Sequence, residues 1–429
     1  MPNFPFGRTQ EFPMLIAACR AVAPLVILAG FSMPSLAADS EWTEQQLATA
    51  AALRDRALSG TSAYDHLSAL VTEVGQRFAG SSGDAAGVRW ALNRLASAGL
   101  SHVRGQDVLV PRWVRGTAEV TLLGAAPQAL VAVALGGSVG TAVEGLEAQV
   151  LEVASLEALS KVPAASVAGK IVFINQRMER TRDGSGYGQV VVNRAQGPST
   201  AGQLGAAALL IRSVGTSDER IAHTGTLQYR VEAPRIPAFA LSNPDADQLA
   251  RHIKGGKPVR VRVKSTAREL PTAWSANVIG EVPGTQRAKE IVLLGAHLDS
   301  WDLGQGAIDD GAGVAIVLEA ARLIARLEQR PARTIRVVLF ANEEFGLSGA
   351  REYAQQVGEE VSRHVLAVEA DMGAGPVWRI QSQVAPEALN SIEWIREVLK
   401  PLSLEAGSNT ANGGSDLGPL RALGVPVLD

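Results

Sequence analysis

Three short apolar runs in the second half of the chain each end in acidic or histidine residues, and this pattern constrains the fold more than any other. IVLLGA (291–296) runs into His297-Leu298-Asp299, TIRVVLFA (334–341) into Asn342-Glu343-Glu344, and HVLAVEA (364–370) into Asp371. Apolar runs of this length without polar alternation suit strands buried on both faces of a parallel sheet. Between the first two lies GVAIVLEAARLIARLEQ, in which Val314, Val317, Leu318, Ala321 and Ile324 recur at helical spacing. SGAREYAQQV supplies a second helix before the third run. Such strand–helix–strand units bring all the carboxyl ends to one edge of the sheet, where open α/β proteins carry their sites. The expected fold class is α/β, with three layers around a mostly parallel central sheet.

Neighbouring strands lie ~4.8 Å apart, so groups at adjacent strand ends converge within a few ångströms. Carboxylates that close repel one another in a poorly solvated cleft unless a cation balances them. A His with carboxylates and no Cys favours a hard or borderline divalent ion such as zinc. The Gly-rich loop after Asp299 leads to Asp309-Asp310 at the next helix start, adding acidic groups to the same edge. Acidic residues also cap helices and favour their N-termini, which would account for one such strand end. Three in register call for more. The paired Glu343-Glu344 has room to divide labour, one carboxylate on a metal and its neighbour free as a base.

With 429 residues, 46% of them hydrophobic, the chain is long enough for two to three domains. Lys and Arg number 40 against 43 Asp and Glu, and no basic stripe points to nucleic acid. Residues 1–38 read as a signal peptide. Arg8 and Arg20 lie ahead of AVAPLVILAGF, a run too short to cross a bilayer, and Ser35-Leu36-Ala37 fits a cleavage site. An exported protein, periplasmic or extracellular and without a membrane span after processing, is expected. Cys19 is the one cysteine and would leave with that segment, which excludes thiol chemistry from the mature protein.

Residues 41–100 have helical caps and Ala/Leu periodicity, and SHVRGQDVLVPRWVRGTAEVTLL then turns strand-like. His66 and His102 lack ligand-like neighbours and read as surface histidines. From 117 to 270, β-rich runs (QALVAVALGG, EAQVLEV, GKIVFINQ, AAALLIRS, IPAFALS) alternate with Gly and Pro turns, and a single helical stretch, TAGQLGAA, is embedded among them. This reads as an inserted β-rich module between residues 39–116 and 271–429, with His223 in one of its loops.

HLDSWDLGQGAIDDGAG, ANEEFGLSGA and EADMGA resemble the co-catalytic di-zinc exopeptidases, the family of bacterial leucyl aminopeptidase and glutamate carboxypeptidase II. VPRWVRG, SWDLGQGAIDDGAG and GGSDLGPL narrow the likeness to the carboxypeptidase Q branch. The resemblance implies two zinc ions, with His297 and Asp371 on one, Glu344 on the other, and Asp309 bridging them through a cis peptide to Asp310. It implies that Asp299 orients the ligand His, and that Glu343 is the general base for a metal-bridging water. It makes 117–270 a protease-associated-like insert, peptides the substrate, and leaves a homodimer open. Dipeptides or short peptides cleaved as by a carboxypeptidase or dipeptidase are expected; aminopeptidase action and an inactive binding protein on the same fold are the alternatives. The family's final His ligand follows GGSDLGPL, whereas no His follows His364 here, so the sequence is expected to stop short of it. His364 does not replace it, lying at the far end of the strand before Asp371, ~23 Å away at ~3.3 Å per residue.

Overall fold

The computed structural model describes residues 42–429. The expected signal peptide, residues 1–38, therefore lies outside the described residues. A seven-stranded sheet runs in the order Ser101–Val114, Arg268–Val282, Arg333–Phe340, Arg287–His297, His364–Glu369, Val427–Leu428, Ser382–Gln383. The three strands expected from the apolar runs are immediate neighbours and parallel, with the His297 strand in the middle. The long strands Ser101–Val114 and Arg268–Val282 add an antiparallel flank.

The runs are largely apolar because both faces of this sheet are covered. Ile335, Val337 and Leu339 point to one face, where Leu70, Trp90, Leu95, Val314, Val317, Leu318 and Ala321 from three helices meet them. Val338 and Phe340 point to the other, against Ala350, Tyr353, Ala354 and Val357 of helix Ser348–Val357 and Leu417 and Leu420 nearby. A strand's period of two sends alternate residues to opposite faces, so a three-layer core favours apolar side chains on both faces of a strand. Each large aliphatic side chain buried this way stabilises the fold by roughly 1.5–3 kcal/mol.

A second sheet of eight strands is built from segments between Ala118 and Ser265, and its strands Leu146–Val153, Ile171–Ile174, Ala208–Arg212 and Ala238–Leu241 are parallel neighbours. This part is less purely β than expected. Besides helix Gly197–Gln203, which overlaps TAGQLGAA, it carries helices Leu156–Ser160, Ala164–Val167, Ser185–Ala195 and Asn243–Lys254. Parallel strands require crossovers, and helices supply them. Their periodicity was masked by glycines and by the β-branched VVV at 190–192, yet the glycine at 197 has a packing reason: a Cβ there would lie 3.1 Å from Leu209 and 3.2 Å from Ile174 of the sheet. Among the described residues no helix is long and apolar enough to cross a membrane.

One side chain ties the strand ends of the first sheet to the helix that follows. Asn277 is fully buried; its amide donates to the Gly349 carbonyl at 2.8 Å, and its oxygen accepts from Ala341 N at 2.9 Å. A Cβ at position 349 would lie 2.1 Å from that oxygen, so only glycine fits there. Replacing Asn277 by Ala leaves a buried N–H and a buried carbonyl unpaired, and urea denaturation should show a loss of about 2–5 kcal/mol.

Candidate metal centre and peptidase site

The His297 strand continues its ladder one residue past the sheet, with Leu298 N donating to Phe340 O at 2.7 Å. This holds His297 in a wholly buried position. Its Nδ1 lies 3.1 Å from the backbone oxygen of Asp299, an atom that can only accept, so Nδ1 carries the proton. Nε2 then faces Asp309 Oδ1 at 3.0 Å and Asp371 Oδ1 at 3.5 Å. A nitrogen lone pair and two carboxylate oxygens directed at one point are a donor set for a cation. Without one, the imidazole takes the proton itself. Burial pulls its pKa down, but the bonds to Asp299, Asp309 and Asp371 outweigh this and hold it well above the ordinary value.

The expected partners of His297 divide into two kinds. Asp309 and Asp310 are joined by a cis peptide and face different ways. Asp309 is the exposed one, with 65% of its side chain accessible, and points at Nε2. Asp310 is buried, with Oδ2 accepting from His297 N at 3.1 Å and Oδ1 from Gly313 N at 3.0 Å. Asp310 also has an oxygen within 4.8 Å of His297 and Asp371. We nevertheless assign it to holding the backbone, because both its oxygens already accept a backbone N–H there.

Asp299 departs in detail from the expected His-orienting carboxylate. Its backbone oxygen makes the imidazole contact, and its carboxylate stands 3.6 Å from Nδ1. That carboxylate accepts instead from Glu343 N at 2.9 Å and Glu344 N at 3.3 Å. It therefore locks one strand end to the next. Asn342 precedes the pair with φ of 60°, in the left-handed region that Asn tolerates better than most residues, and the turn brings both glutamates toward His297.

The other histidines lie apart from this cluster. His364 is buried at the start of its strand and meets the Tyr353 hydroxyl at 2.8 Å. His102 is 66% exposed beside Glu281, as a surface residue should be. His66 is not: only 14% of its side chain is accessible, 4.0 Å from Glu319, because helix Ser62–Glu73 packs this side toward helix Ala312–Ala325. His223 packs its ring 3.5 Å from where a Gly215 Cβ would stand, with its backbone N bonded to Ser213 Oγ.

The profile of peptidase family M28 matches residues 277–429, which contain every residue of the cluster. Carboxypeptidase Q of Xenopus laevis is 34% identical over 363 residues, covering 85% of this chain and 76% of that protein. The chain belongs to peptidase family M28. Carboxypeptidase Q of Homo sapiens matches similarly, with 34% identity over 85% of this chain and 75% of that protein. The crystal structure of a peptidase M28 precursor from Shewanella amazonensis SB2B superposes with a TM-score of 0.87 at 45% identity, over 89% of this chain and 86% of that one. A zinc aminopeptidase from Bacillus subtilis shares the fold, with a TM-score of 0.62 at 23% identity over 86% and 84% of the two chains. As an M28 chain, the protein is a metallopeptidase and hence a hydrolase.

Around this M28 site stand residues that the sequence alone did not bring forward. Asp416, from GGSDLGPL, is fully buried with neither carboxylate oxygen partnered among the described residues, and burial with Glu369 nearby pushes it well above the usual carboxylate range. Trp301 and Phe345, just beyond Asp299 and Glu344, join Phe78 and Trp113 in one aromatic cluster. Arg115 of VPRWVRG lies over Trp113 and Trp301 and chelates Asp302. A Cβ at Gly136 would collide with the Trp301 ring at 2.1 Å, so a glycine lets the second sheet abut these loops. The signal for these contacts was present as Trp, Phe and Gly in the motifs, but nothing local said which would meet.

Several buried acidic groups in and around the site are pushed up, whereas the bond to His297 holds Asp309 down. Burial, then neighbouring carboxylates, raise Glu344 to about 9; burial is also the main cause for Asp310 and Glu369 at about 8 and Asp84 at about 6. In an unfolded chain such groups titrate near 4. The folded state therefore holds more protons between pH 4 and 9, and stability falls with rising pH across that window. Thermal unfolding of metal-free protein should show Tm highest near the acidic end of the window and declining to about pH 9. Zinc should flatten the decline.

Proposed function

We propose that this metallopeptidase is an exported zinc-dependent exopeptidase that hydrolyses dipeptides or short peptides as a carboxypeptidase or dipeptidase, with Glu343 as general base. The observation that carries it is the convergence of His297 Nε2, Asp309 and Asp371 beside the paired Glu343-Glu344. The carboxypeptidase Q relatives support the substrate class, and residues 1–38 support export.

In this reading, His297 and Asp371 would hold one zinc, Glu344 a second, and Asp309 would lie between them. Zinc bound there would supply a Lewis acid that makes a water more acidic and polarises the scissile carbonyl. The protein's own groups do the rest. Asp299 fixes the backbone of both glutamates, so Glu343 holds its carboxylate beside its neighbour without closing on the same ligand position. Glu343 takes a proton from the attacking water and returns it to the leaving nitrogen. In the metal-free protein, burial, with Asp299 and Asp371 nearby, raises its pKa despite the opposing charge of His297. Residues 117–270 would act as the protease-associated-like insert, and the close approach of Gly136 to the Trp301 ring supports a part in shaping access to the site.

Glu343→Ala should lower kcat by about 10²–10⁴-fold or more while leaving the zinc content measured by elemental analysis unchanged. Retained turnover in that variant would remove Glu343 from the role of base. Free dipeptides and N-blocked peptides with a free carboxylate should be cleaved, whereas peptides amidated at the C-terminus should resist. Cleavage of amidated peptides with a free amine would instead assign aminopeptidase polarity.

A further inference from the structure

Arg77 lies between helices Ser62–Glu73 and Ser82–Ser97, far in sequence from every residue of the candidate site, and its side chain is wholly buried. A buried arginine ordinarily meets a carboxylate; the direct hydrogen-bond partners of this one are backbone carbonyls. Nε donates to Leu298 O at 2.8 Å, Nη1 to Gln305 O at 2.7 Å and to Gly75 O at 2.6 Å, and Nη2 to Gly306 O at 2.9 Å. Its backbone joins the same loop, with Arg77 N donating to Ser300 Oγ at 3.0 Å and Ser300 N to Arg77 O at 3.3 Å.

These contacts fall at the two ends of one loop. Leu298 directly follows His297, and Gln305-Gly306 precedes the turn that carries Asp309 and Asp310. Gly306 O in turn accepts from Gly311 N at 3.0 Å, which carries the tie through to the start of helix Ala312–Ala325. The packing leaves no slack: a Cβ at Gly306 would lie 2.3 Å from Ser300 Cβ, 2.9 Å from Arg77 Nη2 and 2.9 Å from Asp309 O. A Cβ at Gly87 would press on the arginine from behind, 3.2 Å from Cδ.

We propose that Arg77 is a positioning residue for the metal centre, a planar clamp that fixes the spacing between His297 and Asp309 by bridging both ends of the loop that joins them. The inference rests on the metal-site reading above. Only a guanidinium presents donors spread in a plane widely enough to reach Leu298 and Gln305-Gly306 together; a lysine offers the same charge at a single point. The charge itself works in the opposite direction, since a cation buried near Asp299, Asp310 and Asp309 opposes a second cation among them. The two roles thus predict opposite effects of substitution.

The test is zinc affinity of the purified protein by chelator competition, with hydrogen exchange of segment 298–311 in the metal-free state, for wild type, Arg77→Lys, Arg77→Met and Ser300→Ala. The clamp predicts that Arg77→Lys and Arg77→Met both weaken zinc binding about 10–100-fold, the range for groups that orient metal ligands. It also predicts faster exchange in 298–311 for both, and a smaller shift in the same direction for Ser300→Ala, which keeps the arginine should either Arg77 variant fail to fold. Unchanged affinity in Arg77→Lys with tighter binding in Arg77→Met would overturn the clamp in favour of charge alone. Wild-type affinity and exchange in all folded variants would overturn it outright. Wild-type protein that takes up no zinc would overturn the metal-site reading, and this inference with it.

Discussion

The structure depends on crowding acidic groups against one histidine at a single sheet edge. His297 sits on the central strand of three parallel neighbours, and carboxylates reach it from its own loop and from the end of the strand on one side. Buried carboxylates in such numbers oppose folding unless positive charge or hydrogen bonds answer them. The protein answers with backbone N–H groups wherever a carboxylate is structural: Asp310 accepts from His297 and Gly313, Asp299 from Glu343 and Glu344, and Glu369 from Asp416 and Leu417. Asp309 and Asp371 instead direct carboxylate oxygens at His297 Nε2.

This division explains why neighbouring acidic residues of the same type behave differently. Asp309 and Asp310 are adjacent, yet one is largely exposed and faces the imidazole while the other is buried in the turn. Asp299 and Asp371 both follow strand ends, yet Asp299 accepts from the neighbouring strand end and Asp371 lies 3.5 Å from Nε2. The site is held by backbone contacts from several directions, which keeps its side chains in place even where they lie on loops. The second sheet reaches the same loops through Gly136, Trp301 and Arg115.

The central strands and the acidic and histidine residues at their ends were legible in the sequence because burial on both faces of a parallel sheet leaves an unmistakable apolar run. The helices between Leu156 and Lys254 were less legible, since glycine and β-branched residues dilute helical periodicity and only the crossover geometry of parallel strands calls for them. His66 was misread because its approach to Glu319 is a property of helix packing. Arg77 was invisible for a simpler reason. Three of its four side-chain partners are carbonyl oxygens more than 220 positions away, and a backbone oxygen has no signature in sequence.

By itself the sequence determined the α/β class, the strand order's reactive edge and the residue types gathered there, because hydrophobic period and chemical identity are local properties. The tertiary structure decided which of those residues turn toward one point and which hold the backbone. It also placed an arginine from the segment between two N-terminal helices against both ends of the loop from Leu298 to Gly306. Those outcomes follow from distances across the fold, set by strand register and by packing at glycines, which no local pattern encodes.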